Sequence, residues 1–539
     1  MFKFNRLQIY NFSLLLLYFL ISVTLRIDNL SYPLGRGHEY ITGHTLVTES
    51  VFYQEGILKH AGAPVWTYGN SAEKYLMKKG NSGYDVFYGY YFSYPPFAFL
   101  LPYFVIWAGV APSVIFIRVL GLAIHFVCAV LIFYLVNFLT GKKSAKLITL
   151  SGHFAALVYL FSAGNLWFHG NIYFADTLVP VFCISFLFLF SKMFIEEKAA
   201  RDKRKLLLLG LVTFLGVYTE WVQLFYALFA CFILFLFSFR QKRFWNPIFV
   251  ISGATILSLS LTIFQYTRIY ALDTILKISM NKYRQRSGQD NKIEKWASME
   301  DPGSMFSLSE NYERQYGEIL NLVFFSILIV LLIFLFSRNR MERIRKNGGI
   351  IFTLLLSILP GIMHIYVFYN FNVIHDFGTL KFAAFFSMIV GISFESLRLF
   401  LQERQPFYRY FGIGIYVITV VIYLTASINK YYENNNSNQI NLYDKSVGSA
   451  TREFSAGDEI LFLKAGSPVT TFYAQRNFEI ANNAKEAIAF LKEVHYPKGI
   501  FIECDDNSTG LIIRMVKVNI EGDSIEVKKK FIPQMTDPF

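Results

Sequence analysis

The chain has 539 residues, of which 54% are hydrophobic and 18% aromatic, while only 17% are charged. At this length such a balance excludes a string of soluble globular domains, whose charged share is nearer a quarter, and points to a polytopic α-helical membrane protein. The net charge of +13 does not point to nucleic acid, because Lys and Arg fall in short clusters between apolar runs, as the positive-inside rule and contact with anionic membrane lipids require.

A basic start, residues 1–6, precedes an apolar run at 9–25 with no small-residue cleavage signal before Arg26 and Asp28, which reads as an uncleaved first span with a cytoplasmic N-terminus. The next stretch, 28–112, then lies outside as a long polar and aromatic loop holding His38, Glu39, His44, Glu49, Asp85 and a Tyr94-Pro95-Pro96 turn. Residues 95–139 could hold two spans, but two would put Lys142, Lys143 and Lys146 outside, against the charge rule. One crossing at 113–139 is therefore expected. Residues 95–109 become an interfacial helix opened by prolines, which a first helical turn tolerates, and Arg118 enters near the outer face.

Spans follow at 147–162 and 174–194, joined by an outer turn with Trp167, His169, Asn171 and Asp176. The apolar run 206–239 would be about 50 Å long as one helix, against a hydrocarbon core of about 30 Å. Basic clusters at both ends make it a hairpin turning at Tyr218-Thr219-Glu220-Trp221, where Glu220 is either solvated or part of an outer cavity. A span at 248–266 leads to a second outer loop, 268–318, with Lys282, Arg284 and Arg286. Spans at 319–336 and 350–368 flank the basic segment 338–346, an outer turn carries His375, Asp376 and Lys381, and spans at 382–401 and 410–427 close the membrane part. The count is about eleven spans, with every basic loop inside and the C-terminus outside.

The division expected is therefore a membrane module, 1–429, and a soluble extracytoplasmic α/β domain, 430–539. After an Asn-rich linker, EILFLKA and KGIFIEC read as buried strands, AKEAIAFLKEV as a helix with Ile488, Leu491 and Val494 on one face, and the segment around Gly522-Asp523 as a hairpin. Cys128, Cys183, Cys231 and Cys504 form neither CxxC nor a Cys/His cluster, so no disulfide framework or metal site is expected.

All substantial non-membrane material lies outside, and the short cytoplasmic loops lack a phosphate-binding Gly loop and an Asp-x-Asp motif. An enzyme working outside, where nucleotide sugars are generally absent, needs an activated substrate delivered in the membrane, such as a polyprenyl-phosphate sugar. The layout resembles the GT-C glycosyltransferases, in particular bacterial relatives of the dolichyl-phosphate-mannose protein mannosyltransferases and of the lipid A aminoarabinose transferase. The resemblance rests on the long first loop, Tyr94-Pro95-Pro96, Arg118, the 216–221 hairpin, His375-Asp376-Phe377 and the outer C-terminal domain. It implies a hexosyl or pentosyl transferase of the cell envelope. Such an enzyme moves a sugar from a polyprenyl-phosphate donor to an acceptor hydroxyl on glycan, lipid or protein, with inversion at C1.

The family usually carries an Asp-Glu pair early in the first loop, where this chain has Gly37-His38-Glu39. Glu39 is thus the expected base, with Glu49 and Asp85 in reserve, since a carboxylate can deprotonate the acceptor. Arg118, Arg284, Arg286 and Lys381 are candidates to hold the phosphate, and His38, His44, Tyr94, His375 and Asp376 to line the substrate site. A divalent ion is compatible with this scheme and not required by it. Each residue also has a plainer reading: interfacial hydrogen bonding for His38 and His44, a solvated or headgroup patch for Lys282, Arg284 and Arg286, and a helix cap for His375-Asp376. The functional alternative is a transporter or flippase, which predicts an internal repeat and mid-span polar residues. A bacterial plasma membrane is the expected location.

Overall fold

In lipid every backbone polar group must find its partner within the chain, so the apolar runs fold as helices. The structure, a computed structural model, describes residues 6–68, 89–141, 149–289, 302–336, 340–402, 404–437, 442–455, 458–507, 510–521 and 524–533. Helix α1 (Arg6–Thr24) leads to an outer segment with α2 (Tyr40–Glu55) and α3 (Phe97–Trp107). Then come α4 (Val114–Leu139), α5 (Leu150–Phe161), α6 (Ala163–Asn171), α7 (Ala175–Ile195), α8 (Lys203–Val217), α9 (Val222–Ser238) and α10 (Trp245–Thr267). Helix α11 (Leu272–Ser287) precedes α12 (Pro302–Phe336), α13 (Arg340–Val367), α14 (Tyr369–Ile374), α15 (Ala383–Leu401) and α16 (Pro406–Ser437).

Among the described residues, eight helical stretches are long and apolar enough to cross a membrane; four coincide with or lie within α1, α4, α7 and α10 and their leading turns, and four with parts of α12, α13, α16 and with α15 and the turn before it. The other three expected spans are also helical: α5 for the one at 147–162, and the hairpin arms α8 and α9 of 15 and 17 residues. The chain is a multi-pass membrane protein. The stretch around α15 is the innermost, with 94% of its apolar window buried. As expected, residues 95–139 give one long helix, α4; α3, at 11 residues, is about 16 Å long and too short to cross.

Several expectations change. In the expected second outer loop, 268–318, residues 272–287 and 302–318 are helical, in α11 and α12, and the basic segment expected as a loop at 338–346 is helical from Arg340, in α13. The supposed outer turn at 163–176 is mostly helix α6, whose nine residues are all buried, so Asn165, His169 and Asn171 hydrogen-bond or stack inside the bundle. The supposed linker after 430 instead continues α16 to Ser437. Its Tyr431 and Asn435 side chains accept hydrogen bonds from Asn29 at 2.9 and 3.1 Å, and an Asn-rich run stays helical when its amides find partners that offset its low propensity.

The C-terminal region holds α17 (Tyr443–Phe454), β1 (Ile460–Leu463), α18 (Pro468–Ala474), β2 (Glu479–Ile480), α19 (Ala484–Val494), β3 (Lys498–Asn507), β4 (Gly510–Asn519) and β5 (Ser524–Pro533). The sheet order is β2-β1-β3-β4-β5, with β1 parallel to β2 and β3 and the last two pairings antiparallel. Alternation along β1 sends Ile460 and Phe462 to a core with Leu491 and Val494 of α19, and Leu461 and Leu463 to one with Val447 and Ala450 of α17. The strands and helix read from the sequence are present; the expected turn at 522–523 lies outside the described residues. Helix α18 packs on α2, where a Cβ at Gly43 would stand 3.0 Å from Val469 N. Nearby, Leu34 N–H donates to Tyr473 OH at 3.0 Å, and Tyr68 exchanges two hydrogen bonds with Asn477.

Candidate active site

Helices α2, α11 and α14 converge with residues 66 and 91–94 around a cavity of about 330 Å³. On α11 the spacing Lys282, Gln285, Arg286 puts all three on one face, toward the cavity, while Leu272, Leu276 and Met280 form a separate exposed stripe. Lys282 Nζ donates to Gln285 Oε1 at 3.0 Å. The Arg286 guanidinium lies 4.4 Å above the Tyr94 ring and 5.1 Å from that of Phe371, and donates to Tyr91 OH at 3.3 Å. Burial, then repulsion from Arg286, pushes the Lys282 ammonium down to about 8.

The opposite wall is aromatic. His44 stacks on Trp66 with centroids 4.2 Å apart, and Trp66 faces Tyr91 at 4.5 Å. Burial, with Lys282 adding to it, pushes His44 down to about 3, so its imidazole is neutral. His375, lining the cavity beside Phe377, is likewise pushed down to about 3 by burial, then by the nearby charges of His38, Arg286 and Lys381.

One ionic pair and one histidine–carboxylate contact stand behind this lining. Asp176, in the first turn of α7 where the helix dipole favours an anion, accepts from Lys381 Nζ at 2.6 Å and from Tyr94 OH at 3.2 Å. Asp376 accepts from Gln315 Nε2 at 2.7 Å through Oδ2, and its Oδ1 lies 3.2 Å from His38 Nε2. His38 holds φ at +62°, a left-handed conformation uncommon for a non-glycine residue. Its Nδ1 is buried without a hydrogen-bond partner, and its ring lies 5.7 Å from that of His375.

Of the residues expected from the sequence, His44, Tyr94, Arg286 and His375 line the cavity, and His38, Asp376 and Lys381 stand immediately behind it. The others are elsewhere. Glu39 is fully buried: one oxygen accepts from Arg118 at 2.6 Å and the other from the Gly35 and Arg36 N–H groups, both at 2.8 Å. Arg118 also donates to the carbonyls of Asn29 and Tyr32, so this pair ties the first loop to α4 and does not line the cavity. Glu49 is buried in α2 with neither oxygen hydrogen-bonded, and burial raises its carboxyl well above the usual range. Arg284 points to solvent, and Asp85 lies outside the described residues.

Trp66, Gln285 and Asn370 line the cavity without having been expected there, and Asp176 is the unexpected partner of Lys381, whereas Tyr91 belongs to the Tyr-rich run 84–94 whose rings suit stacking on a sugar. Gln285 is readable from its place between two basic residues once the segment is known to be helical; Trp66 and Asn370 carry no local signal. Glu220 is buried, accepting from Val222 N–H at 2.7 Å and standing 3.4 Å from His364 Nε2, which decides against the solvated reading. Among the described residues no group of three or more His, Cys, Asp or Glu side chains is arranged to hold a metal ion.

The architecture is the GT-C fold, a membrane helical bundle carrying outer segments. Among solved structures, it is similar to the oligosaccharyltransferase AglB from Archaeoglobus fulgidus in complex with an inhibitory peptide and a dolichol-phosphate, with a TM-score of 0.56, 11% identity, and coverage of 92% of this chain and 69% of that one. It is similar also to ArnT from Cupriavidus metallidurans bound to undecaprenyl phosphate, with a TM-score of 0.56, 9% identity, and coverage of 92% and 93%. No family model matches the sequence, and no curated protein matches it by sequence. The likeness is one of fold.

Proposed function

We infer that this protein is a glycosyltransferase of the bacterial plasma membrane. It moves a hexosyl or pentosyl group from a polyprenyl-phosphate donor to an acceptor hydroxyl on the outer face, with inversion at C1. The observation that carries this reading is the cavity itself, which joins a two-cation face, Lys282 and Arg286, to a wall of stacked rings. Cations suit a lipid-linked phosphate, and ring faces suit a sugar. The solved structures of this fold bound to dolichol-phosphate and undecaprenyl phosphate support the same class of donor, as does the clustering of basic loops on the opposite side. Buried polar groups such as Asn165 and His169 inside the bundle are what the transport alternative also predicts, and turnover of a lipid-linked donor is what separates the two readings.

In this scheme Glu39 is a positioning group, and the base is His38. Asp376 Oδ1 stands 3.2 Å from His38 Nε2 with no hydrogen bond between them, near enough for its charge to favour the imidazolium, and the unpartnered Nδ1 is the atom that takes the proton. The acceptor hydroxyl gives its proton to Nδ1 while its oxygen bonds C1. The C1–O bond to phosphate breaks with its electron pair, and polyprenyl phosphate leaves between Lys282 and Arg286, whose charges match the one that develops on it.

The test is turnover of radiolabelled polyprenyl-phosphate sugars by the reconstituted protein. His38→Gln is expected to lose most transfer, on the order of the 10²- to 10⁴-fold that general bases contribute, while still binding donor. Full activity in that variant removes His38 as base, and no polyprenyl phosphate release by the wild type from any such donor removes the transferase reading.

A further inference from the structure

Arg286 is held in the cavity wall by what it stacks on. Its guanidinium lies 4.4 Å above the Tyr94 ring and 5.1 Å from that of Phe371, and its N–H groups donate to Tyr91 OH at 3.3 Å and to the Ser93 carbonyl at 3.4 Å. A guanidinium is planar, so the ring beneath it sets the direction of its N–H fork, and that fork has to match the oxygens of a phosphate. Whatever fixes Tyr94 therefore aims Arg286.

The backbone of Tyr94 is clamped. Tyr266 OH, from α10, donates to its carbonyl, and Trp221 Nε1, from the 218–221 hairpin, donates to the preceding carbonyl of Ser93 at 2.8 Å. These bonds leave the side chain its rotation about χ1. The rotamer is selected by the hydroxyl, which donates to Asp176 Oδ2 at 3.2 Å. Asp176 is itself held through its other oxygen by Lys381 Nζ at 2.6 Å, both side chains being buried. Such a pair stays together because separating it leaves a charge uncompensated in a low dielectric. The ring of Phe371, which touches Arg286, also lies 5.5 Å from Lys381 Nζ.

We propose that Tyr94 and Asp176 are positioning residues: Asp176, anchored by Lys381, fixes the Tyr94 ring, and the ring aims the Arg286 guanidinium at the phosphate of the lipid-linked donor. Lys381 then serves the donor site without touching the phosphate. The proposal rests on the transferase reading above.

The test measures polyprenyl phosphate binding and donor turnover separately, on the full-length protein in nanodiscs. Tyr94→Phe keeps the ring and removes the tether. Its Kd for polyprenyl phosphate is expected to rise about three- to tenfold, with the donor KM rising in step and kcat changing little. Arg286→Ala is expected to raise the Kd at least about tenfold, and adding Tyr94→Phe to it to raise the Kd no further, because the tether then has nothing to aim. Asp176→Asn alone would leave Lys381 buried and unpaired, so a second variant replaces both, Asp176→Leu with Lys381→Met, and is expected to match Tyr94→Phe in Kd and to be equally silent beside Arg286→Ala.

A tether that serves folding alone would lower Tm and leave the Kd unchanged, or would raise the Kd as much without Arg286 as with it, and either result overturns the proposal. The expected binding pattern without turnover of any polyprenyl-phosphate sugar overturns the transferase reading and leaves the positioning intact. No binding of polyprenyl phosphate by the wild type overturns both.

Discussion

At the scale of single residues, what decides a role is which partners have already claimed a side chain. Glu39 looked like the base because it is the acidic residue in the family's position, yet Arg118 and two backbone N–H groups use both its oxygens. Truncating one partner of such a buried pair typically costs about 3–5 kcal/mol, so loss of activity in Glu39→Gln is expected to come with loss of folded protein.

Glu49 is the opposite case, an acid with no partner. Its folded-state carboxyl titrates above the unfolded one, so its contribution is present at acid pH and is lost as pH rises above the unfolded value toward the folded one. Glu49→Gln is therefore expected to raise thermal stability at neutral pH, by on the order of 1 kcal/mol, to leave it unchanged near pH 4, and to keep transfer activity. Thermal melts across pH with a parallel transfer assay check this, and abolished transfer in a well-folded variant restores Glu49 as a catalytic candidate.

Lys282, pushed down to about 8, loses its charge in mildly alkaline solution, whereas a phosphodiester donor does not titrate there. Donor affinity is expected to weaken several-fold from pH 7 to 9, and Lys282→Arg, always charged, to flatten that profile. An unchanged wild-type profile in a donor-binding titration would show that Lys282 does not hold the phosphate.

At the scale of elements, α2 is the hinge between the cavity and the C-terminal region. One side presents Tyr40, Ile41 and His44 to the cavity; another receives α18 at Gly43. Alanine in place of glycine inside a helix usually stabilises by about 0.5–1 kcal/mol, but here the new Cβ would stand 3.0–3.1 Å from the backbone of Pro468 and Val469. Overpacking of this kind costs about 1–3 kcal/mol and wins. Gly43→Ala is expected to lower Tm by several degrees and to raise the donor KM more than it lowers kcat, because the displaced helix carries the cavity wall. A raised Tm would mean that α18 yields without strain.

Helix α11 shows how far an element can be read from sequence. Residues 268–318 read as an outer loop, so the i, i+3, i+4 spacing of Lys282, Gln285 and Arg286 takes on meaning only once 272–287 is known to be helical, and that this face turns toward Tyr94 and Phe371 is tertiary information. The buried half-helix α6 was misread because its polar Asn165 and His169 suggested a turn, and only neighbouring helices can satisfy such groups inside a bundle. The last turns of α16 were read as a linker for a similar reason: their Asn side chains find partners in the first loop, hundreds of residues away in sequence.

At the scale of the molecule, hydropathy and basic-cluster placement by themselves determined that this is a multi-pass helical membrane protein, that 95–109 does not cross, and that the tail contains strands and a helix. Each follows from local pattern: the length of an apolar run against the bilayer, the positive-inside rule, and periods of 3.6 and 2. The tertiary structure alone decided the pairing of charges. Glu39 with Arg118 and Asp176 with Lys381 join residues 79 and 205 positions apart, and nothing in a linear sequence states which cation a buried carboxylate will find. In a low-dielectric bundle those pairings determine which groups stay available for chemistry, so the candidate base passed from Glu39 to His38 only once the helices were in place.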